Sequence, residues 1–453
     1  MAEVLVELDR TAGRLVEQLV TGLRPGIRAG RIDGRTELPA SRVLAADLRV
    51  SRGVVVEAYQ QLAAEGYVVT RAGSGTRVAD GCAAAAAEAI PAPAPPAPRY
   101  DLWPGTPDLA AFPRAAWLAA MRRAFDTLPH SGLGYGDPGG VLRFREEIAA
   151  YVNRVRAADA APERTIALSG VSHGMALGLK ALRERGHRVL AVEDPSADRP
   201  RRLLAASGFV VVGVPVDGDG LVVAELERTA ASVVMATPAH QYPTGVVLAP
   251  ARRAALLDWG RRHDGMVIED DYDAEFRYDR TGVGCLQGLP DRVLYLGSTS
   301  KSLAPALRLG WAVAPRWLAD RMRELRDESD LGGPVVEHLA LAQFVSSGGY
   351  DRHLRILRRH YRRRRDALVT ALRDAAPDWR VTGIAAGLHL LVELPTGTDE
   401  AALVEAATDD GVRLQALAPM RFAPGGPGLV LGYAALSSTR LAEAASVLAR
   451  SAR

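Results

Sequence analysis

Between Ala79 and Arg99 the chain reads as an alanine-rich run followed by prolines at 91, 93, 95, 96 and 98. Alternating prolines fix φ at about −65° and remove backbone donors, so this stretch can neither join a sheet nor continue a helix. Its alanines bring too little large apolar surface to anchor a helix on a core. The 453-residue chain therefore divides into residues 1–78, a linker over 79–99, and residues 100–453. A hydrophobic content of 48% and a charged content of 24% are those of an ordinary globular protein. No apolar run approaches the roughly 18 residues of a membrane span, and the N-terminus lacks a basic-then-apolar leader. The expectation is a cytoplasmic protein with no membrane partner. Cys82 and Cys285 are too far apart for metal-ligand spacing, which fits a reducing compartment and argues against a disulfide framework. A net charge of +3 is too small to hold nucleic acid by bulk attraction. Any DNA contact must come from locally placed arginines.

The first module supplies such arginines. Ala12–Leu23 has helical periodicity, and a second helix is predicted from Ser41, after Leu38-Pro39-Ala40. Leu48-Arg49-Val50-Ser51-Arg52 is a short turn with Ser51 as N-cap. The next helix, Gly53–Glu65, would bury Val55, Ala58, Tyr59 and Leu62 and end at Gly66. Tyr67–Thr70 and Gly75–Val78 then read as a hairpin turned by Ala72-Gly73-Ser74. Helix, turn, helix and wing is a DNA-reading layout, in which the second helix presents its N-terminal end to the major groove.

Leu38-Pro39-Ala40-Ser41-Arg42, Val50-Ser51-Arg52 and Glu65-Gly66-Tyr67 through Gly73-Ser74-Gly75-Thr76 resemble the winged helix of GntR-type transcription regulators. The resemblance implies that Arg42, Ser51, Arg52 and the wing residue Arg71 contact DNA. Val54 and Val56 stand where many members carry polar or basic residues, so phosphate positioning by arginine is expected to outweigh base readout.

The second module is α/β in pattern. Val189–Val192, Val210–Val214, Val233–Met235, Met266–Ile268 and Val293–Leu296 are short, continuously apolar runs separated by amphipathic stretches. Such runs predict a mostly parallel sheet covered on both faces, with its ligand outside the carboxyl ends of the strands. The chemically capable residues follow those runs directly. Of 56 basic residues only two are lysines, and Lys301 lies in Gly297-Ser298-Thr299-Ser300-Lys301-Ser302, just after one run. Arginine cannot do amine chemistry because its guanidinium stays protonated; a lysine with a lowered pKa can. Glu269-Asp270-Asp271-Tyr272 follows a second run, and Thr237 through His240-Gln241-Tyr242-Pro243-Thr244-Gly245 follows a third.

Together these segments resemble the pyridoxal 5'-phosphate site of fold-type I aminotransferases. By that resemblance Lys301 carries the cofactor aldehyde as a Schiff base, Asp270 pairs with the pyridine nitrogen, and Tyr272 meets the ring hydroxyl. Ser298, Ser300 and Arg308 would hold the phosphate, together with the amides of Val171 and Ser172 at a helix N-terminus after Thr165–Leu168. Tyr135, in a glycine-rich loop, resembles a tyrosine that reaches the phosphate of a neighbouring subunit, which implies a homodimer.

Three departures accompany the match. His240-Gln241-Tyr242 replaces the usual asparagine before Pro-Thr-Gly. Ala197 stands where an aromatic normally stacks, leaving His173 or another residue to cover the ring. Val430 stands at the usual substrate-carboxylate arginine, with Arg421, Arg199 and Arg413 as candidate replacements. Arg352–Arg365 contains eight arginines and reads as an exposed basic helix, with a secondary DNA surface as the alternative.

Across the whole chain, the order of winged helix, linker and aminotransferase-like domain resembles the MocR/GabR subfamily of GntR-type regulators. It implies a dimeric, pyridoxal-phosphate-dependent DNA-binding regulator whose large domain senses an amine, an amino acid or the cofactor itself. A working aminotransferase with an accessory DNA-binding domain is the competing expectation. A regulator that uses the large domain only to dimerise is the third.

Overall fold

The computed structural model describes residues 6, 8–9, 11–71, 75–81, 97–278, 282–288 and 291–452, and for Arg199 only the backbone. It separates into two compact units, residues 1–96 and 97–453. Most of the proline-rich stretch, the turn at 72–74 and Cys82 lie outside the described residues.

In the first unit, helix α1 (Leu15–Arg28) precedes a short strand β1 (Glu37–Leu38), α2 (Ser41–Asp47) and α3 (Arg52–Ala64). Strands β2 (Val68–Arg71) and β3 (Gly75–Val78) form an antiparallel hairpin, and β1 pairs with the outer side of β3. The first helix runs past the Leu23 predicted from periodicity and contains Pro25. Proline costs a helix an amide donor. Here Leu19, Val20, Leu23 and Ile27 nevertheless keep one buried face across it, and that shared burial outweighs the missing bond. Helix α3 starts at Arg52, because the Ser51 hydroxyl accepts from Val54 N and caps it. Val55, Ala58, Tyr59 and Leu62 are buried as their spacing demands.

The second unit opens with β4 (Tyr100–Asp101), α4 (Arg114–Thr127) and α5 (Leu142–Arg156). It continues through β5 (Thr165–Leu168), α6 (Val171–Glu184), β6 (Val189–Asp194), α7 (Arg199–Ala206) and β7 (Val210–Asp217). Next come β8 (Gly220–Leu221), α8 (Val223–Leu226), β9 (Val233–Ala236), α9 (Pro250–Arg262), β10 (Met266–Asp271), β11 (Val293–Ser298) and β12 (Gly310–Val313). Eight strands form one sheet in the order β5-β12-β11-β10-β9-β6-β7-β8. The five strands read from apolar runs are parallel to their neighbours among themselves, while β12 is antiparallel to both β5 and β11.

Adjacent residues of one strand serve opposite cores, because side chains alternate across a sheet. Leu190, Val192, Val233, Ile268 and Leu294 enter one cluster; Ala191, Val234, Val267 and Val293 enter the other. Both faces are thus covered, which is why these strands read as unbroken apolar runs.

The rest of the unit comprises α10 (Arg316–Ser329), α11 (Val335–Ser346), the long α12 (Gly349–Ala375), β13 (Arg380–Thr382) and β14 (His389–Glu393). After these come α13 (Glu400–Asp409), β15 (Val412–Arg413), β16 (Gln415–Ala416), β17 (Gly428–Gly432) and α14 (Ser438–Ser451). Helix α12 buries Leu354, Leu357 and Tyr361, and it exposes Arg352, Arg355, Arg359, Arg362 and Arg363. No helix among the described residues is long and apolar enough to cross a membrane.

Candidate functional site

A cavity of about 240 Å³ opens outside the carboxyl ends of β6, β9, β10 and β11, where an open α/β sheet holds its ligand. Val192 and Glu193 line it from β6, Met235 and Ala236 from β9, Asp270 from β10, and Lys301 from the turn after β11. Tyr272, Tyr242, Ala197 and Asp198 complete the near wall, while Trp103, Gly105 and Gln415 come from distant parts of the chain.

In the sequence Asp270 reads as following the apolar run Met266–Ile268. In the structure β10 continues through Asp271, so alternation fixes which way each acid points. Asp271 turns away from the cavity: the Arg156 guanidinium donates to both its oxygens, at 2.6 and 3.1 Å, and the Tyr295 hydroxyl donates at 2.6 Å. Asp270 lines the cavity, and its Oδ1 is buried without a hydrogen-bond partner. Burial, then the neighbouring Asp271, pushes its carboxyl up to about 7, against the pull of Lys301. A buried acceptor left unpaired costs free energy until a donor arrives, and a protonated ring nitrogen is such a donor.

The Lys301 Nζ donates to Gly105 O at 2.6 Å. The Tyr272 hydroxyl lies 3.0 Å from His240 Nδ1, which is 3.1 Å from both oxygens of the buried Asp273. Burial holds the Tyr272 phenol well above its ordinary range, so it stays protonated and able to donate. Glu193 is also buried; its Oε2 accepts from Thr237 N at 3.1 Å, Thr237 Oγ1 at 2.7 Å and Gln241 Nε2 at 3.2 Å. Burial pushes this carboxyl up to about 7 despite those bonds.

The expected phosphate holders gather at one sheet edge. Ser298 pairs with Gly310, and Gly310 pairs with Leu168, so the ends of β5 and β11 flank the start of β12. Gly170, at φ 115°, caps α6, placing Val171 and Ser172 in the first helical turn. A Cβ on Gly170 would lie 3.3 Å from the Arg308 guanidinium, so a side chain there would press on it. Ser298 Oγ donates to Ser300 Oγ at 2.8 Å. None of Ser298, Ser300, Arg308, Val171 and Ser172 lines the cavity itself; they adjoin the Lys301 turn.

Other expectations fare differently. His173 does not cover the cavity: its Nδ1 accepts from Ser169 N, and its Nε2 lies 3.7 Å from Asp330. Trp103 and Tyr242 supply the aromatic walls. Val430 is fully buried with Leu391, Leu417 and Met420. Arg421 turns toward Gly425 and Gly426, and Arg413 lies over the Trp103 ring beside Asp101, so neither lines the cavity. Arg199 opens α7, its side chain lying outside the described residues. Tyr135 is 91% exposed and away from the cavity wall. In the first unit Arg42, Ser51, Arg52 and Arg71 are all exposed.

Residues 15–78 match the bacterial regulatory proteins of the gntR family, and residues 106–448 match aminotransferase class I and II. The chain is 31% identical over 464 residues to the probable rhizopine catabolism regulatory protein MocR of Rhizobium meliloti, covering 97% of this chain and 94% of that one. This chain belongs to the MocR type of GntR-family regulators.

Within that family it is also 35% identical over 382 residues to the pyridoxine biosynthesis transcriptional regulator PdxR of Corynebacterium glutamicum, covering 83% and 82% of the two chains. Among solved structures, an archaeal alanine:glyoxylate aminotransferase superposes with a TM-score of 0.71 at 24% identity, over 78% of this chain and 90% of that one. That likeness gives the fold of the second unit, a fold-type I aminotransferase domain, which follows the gntR-family winged helix in the sequence. The class I and II domain implies pyridoxal phosphate as the cofactor of this MocR-type chain. The unpartnered Asp270 Oδ1, the Lys301 amine on the same cavity and the hydroxyl-, amide- and arginine-rich edge beside it fit that group.

Sequence reasoning missed Glu193, Trp103 and Gln415. A carboxylate ending the apolar run Val189–Val192 was a legible signal for Glu193. Trp103 and Gln415 carry no local motif.

Proposed function

We propose that this chain is a homodimeric, pyridoxal-phosphate-dependent transcription regulator in which an amine, an amino acid or the cofactor itself, received at the Lys301 cavity, alters operator binding by the winged helix. The observation that carries this reading is the joint presence of Lys301 and a buried Asp270 with its Oδ1 unpaired on one cavity, in a chain that also exposes Arg42 and Arg52 in the first turns of the two helices of its helix-turn-helix.

When bound, pyridoxal phosphate supplies an aldehyde able to condense with amines and a ring that accepts electrons. Asp270 would hold a proton at the ring nitrogen, Tyr272 would donate to the ring hydroxyl, and Lys301 would offer its amine to the aldehyde. Ser298, Ser300, Arg308 and the first amides of α6 would bind the phosphate, in the manner of an anion at a helix N-terminus. Arg42, Ser51, Arg52 and Arg71 would meet DNA, mostly at phosphates. Tyr135, exposed in the single chain, would approach the partner's site.

Retention of Lys301, Asp270 and Tyr272 also supports an aminotransferase reading. Ala197 and the buried Val430 weigh against efficient turnover, since neither can align a substrate carboxylate over the cofactor.

The reading is tested by incubating purified protein with pyridoxal phosphate, reducing with borohydride and mapping the label, alongside selection of bound sequences from random DNA. The expected result is a label on Lys301 and one enriched DNA motif. An unlabelled protein at excess cofactor would overturn it.

A further inference from the structure

We propose that the effector received by this cavity is a diamine or longer polyamine that carries no carboxylate, an inference that rests on the regulator reading and names its ligand class.

The cavity lining is richer in acids than in bases. Glu193, Asp198 and Asp270 line the cavity, and Lys301 is the one cationic side chain among the described lining residues. Asp270 is committed to the cofactor in the proposed function, and Glu193 Oε2 is occupied by Thr237 and Gln241. Asp198 is different. Its Oδ1 accepts from Gln415 Nε2 at 3.0 Å, and a carboxylate has room for several further donors. An ammonium reaching Asp198 would find an acceptor already oriented by Gln415.

The usual arginine position is Val430, fully buried among Leu391, Leu417 and Met420. The two Nη atoms of Arg201 donate to the carbonyls of Pro419, Met420 and Arg421, its guanidinium stacks 4.1 Å from the Phe422 ring centre, and its buried Nε has no hydrogen-bond partner among the described residues. Arg413 and Arg421 are likewise turned from the cavity. A ligand carboxylate would thus lie near Glu193 and Asp198 with no arginine among the described lining residues to neutralise it, and an unpaired buried charge is strongly disfavoured.

An apolar wall joins the two ends. Trp103, Val192, Leu204 and Met235 are apolar, and Ala197 leaves open the space an aromatic would fill. Methylenes suit that wall, with one amine directed to the Lys301 end and the other to Asp198.

The test uses three probes of matched length on the cofactor-loaded, full-length protein, with Lys301 labelling checked first. These are 1,4-diaminobutane, 4-aminobutyrate and 1-aminobutane, titrated by calorimetry. The diamine should bind at least about tenfold more tightly than either other probe. Asp198→Asn should erase most of that advantage while changing 1-aminobutane binding by less than about twofold. Absence of borohydride label on Lys301 would overturn the proposed function and this inference with it. A labelled protein that binds 4-aminobutyrate at least as tightly as the diamine, or that binds none of the three, overturns this inference alone. So does an unchanged preference in Asp198→Asn. If 4-aminobutyrate wins and Arg199→Ala abolishes its binding, Arg199 is the carboxylate receptor.

Discussion

At the scale of single residues, the burial of Asp270 carries a free-energy cost that pH makes visible. Its folded pKa of about 7 lies above the roughly 3.9 of an unfolded aspartate. Between those values the folded chain keeps a proton that the unfolded chain has released, so stability falls as pH rises from about 4 to about 7 and is flat above. Asparagine has no such proton. Apo Asp270→Asn should therefore gain on apo wild type across that window, by at most about 4 kcal/mol, in denaturant titrations at pH 5 and pH 8. A gap independent of pH would show that the carboxyl is not protonated by burial. The same substitution should weaken cofactor binding, and Lys301→Ala should remove the borohydride-stable label while leaving the fold. Lys301, Asp270 and Tyr272 were legible in the sequence because each follows an apolar run at a strand's carboxyl end. Trp103 and Gln415 were not, because long-range folding alone brings them to Lys301.

At the scale of elements, the parallel strands could be read because burial on both faces forbids polar residues along them. The end of β10 could not. Glu269, Asp270 and Asp271 look like a loop, yet they stay in the strand because Leu286 N, the open cavity, and Arg156 with Tyr295 receive them in turn. The end of α1 is hidden for a related reason: the local periodicity stops at Leu23 before a glycine-rich turn, whereas a tertiary face carries the helix on through Pro25 to Arg28. Gly310 shows how tightly the proposed phosphate edge is built. A Cβ there would stand 2.8 Å from Gly170 Cα and 2.9 Å from Gly297 O, backbone atoms that cannot rotate aside. Gly310→Ala should cost about 1–3 kcal/mol and lower cofactor affinity, as measured by unfolding and by cofactor titration. In the first unit, Arg52 begins α3 behind the Ser51 cap. If it holds a phosphate, Arg52→Ala should reduce the slope of log affinity against log salt by about one. An unchanged slope would remove Arg52 from the interface.

At the scale of the whole molecule, the proposed function requires that the large domain and the winged helix be coupled, and coupling requires unequal affinity for two states. A difference of about 1–3 kcal/mol gives a 5–150-fold response. The proposed homodimer has a visible candidate surface in the single chain. Leu118 and Phe125, seven residues apart on α4, are 64% and 55% exposed, and Leu133 and the 91%-exposed Tyr135 follow them. Phe125→Asp should yield monomers in sedimentation and weaken DNA binding with them. The central claim is that the Lys301 cavity governs the winged helix, and one measurement tests it directly. Wild type and Lys301→Ala are titrated onto the selected DNA site with and without pyridoxal phosphate and an amine panel, with transamination turnover followed in parallel. The account predicts that wild-type DNA affinity moves by at least about fivefold with cofactor or amine, that the variant moves by less than about twofold, and that turnover is slow. Equal DNA affinity under every condition, or brisk turnover by a protein with no sequence-specific binding, would contradict it.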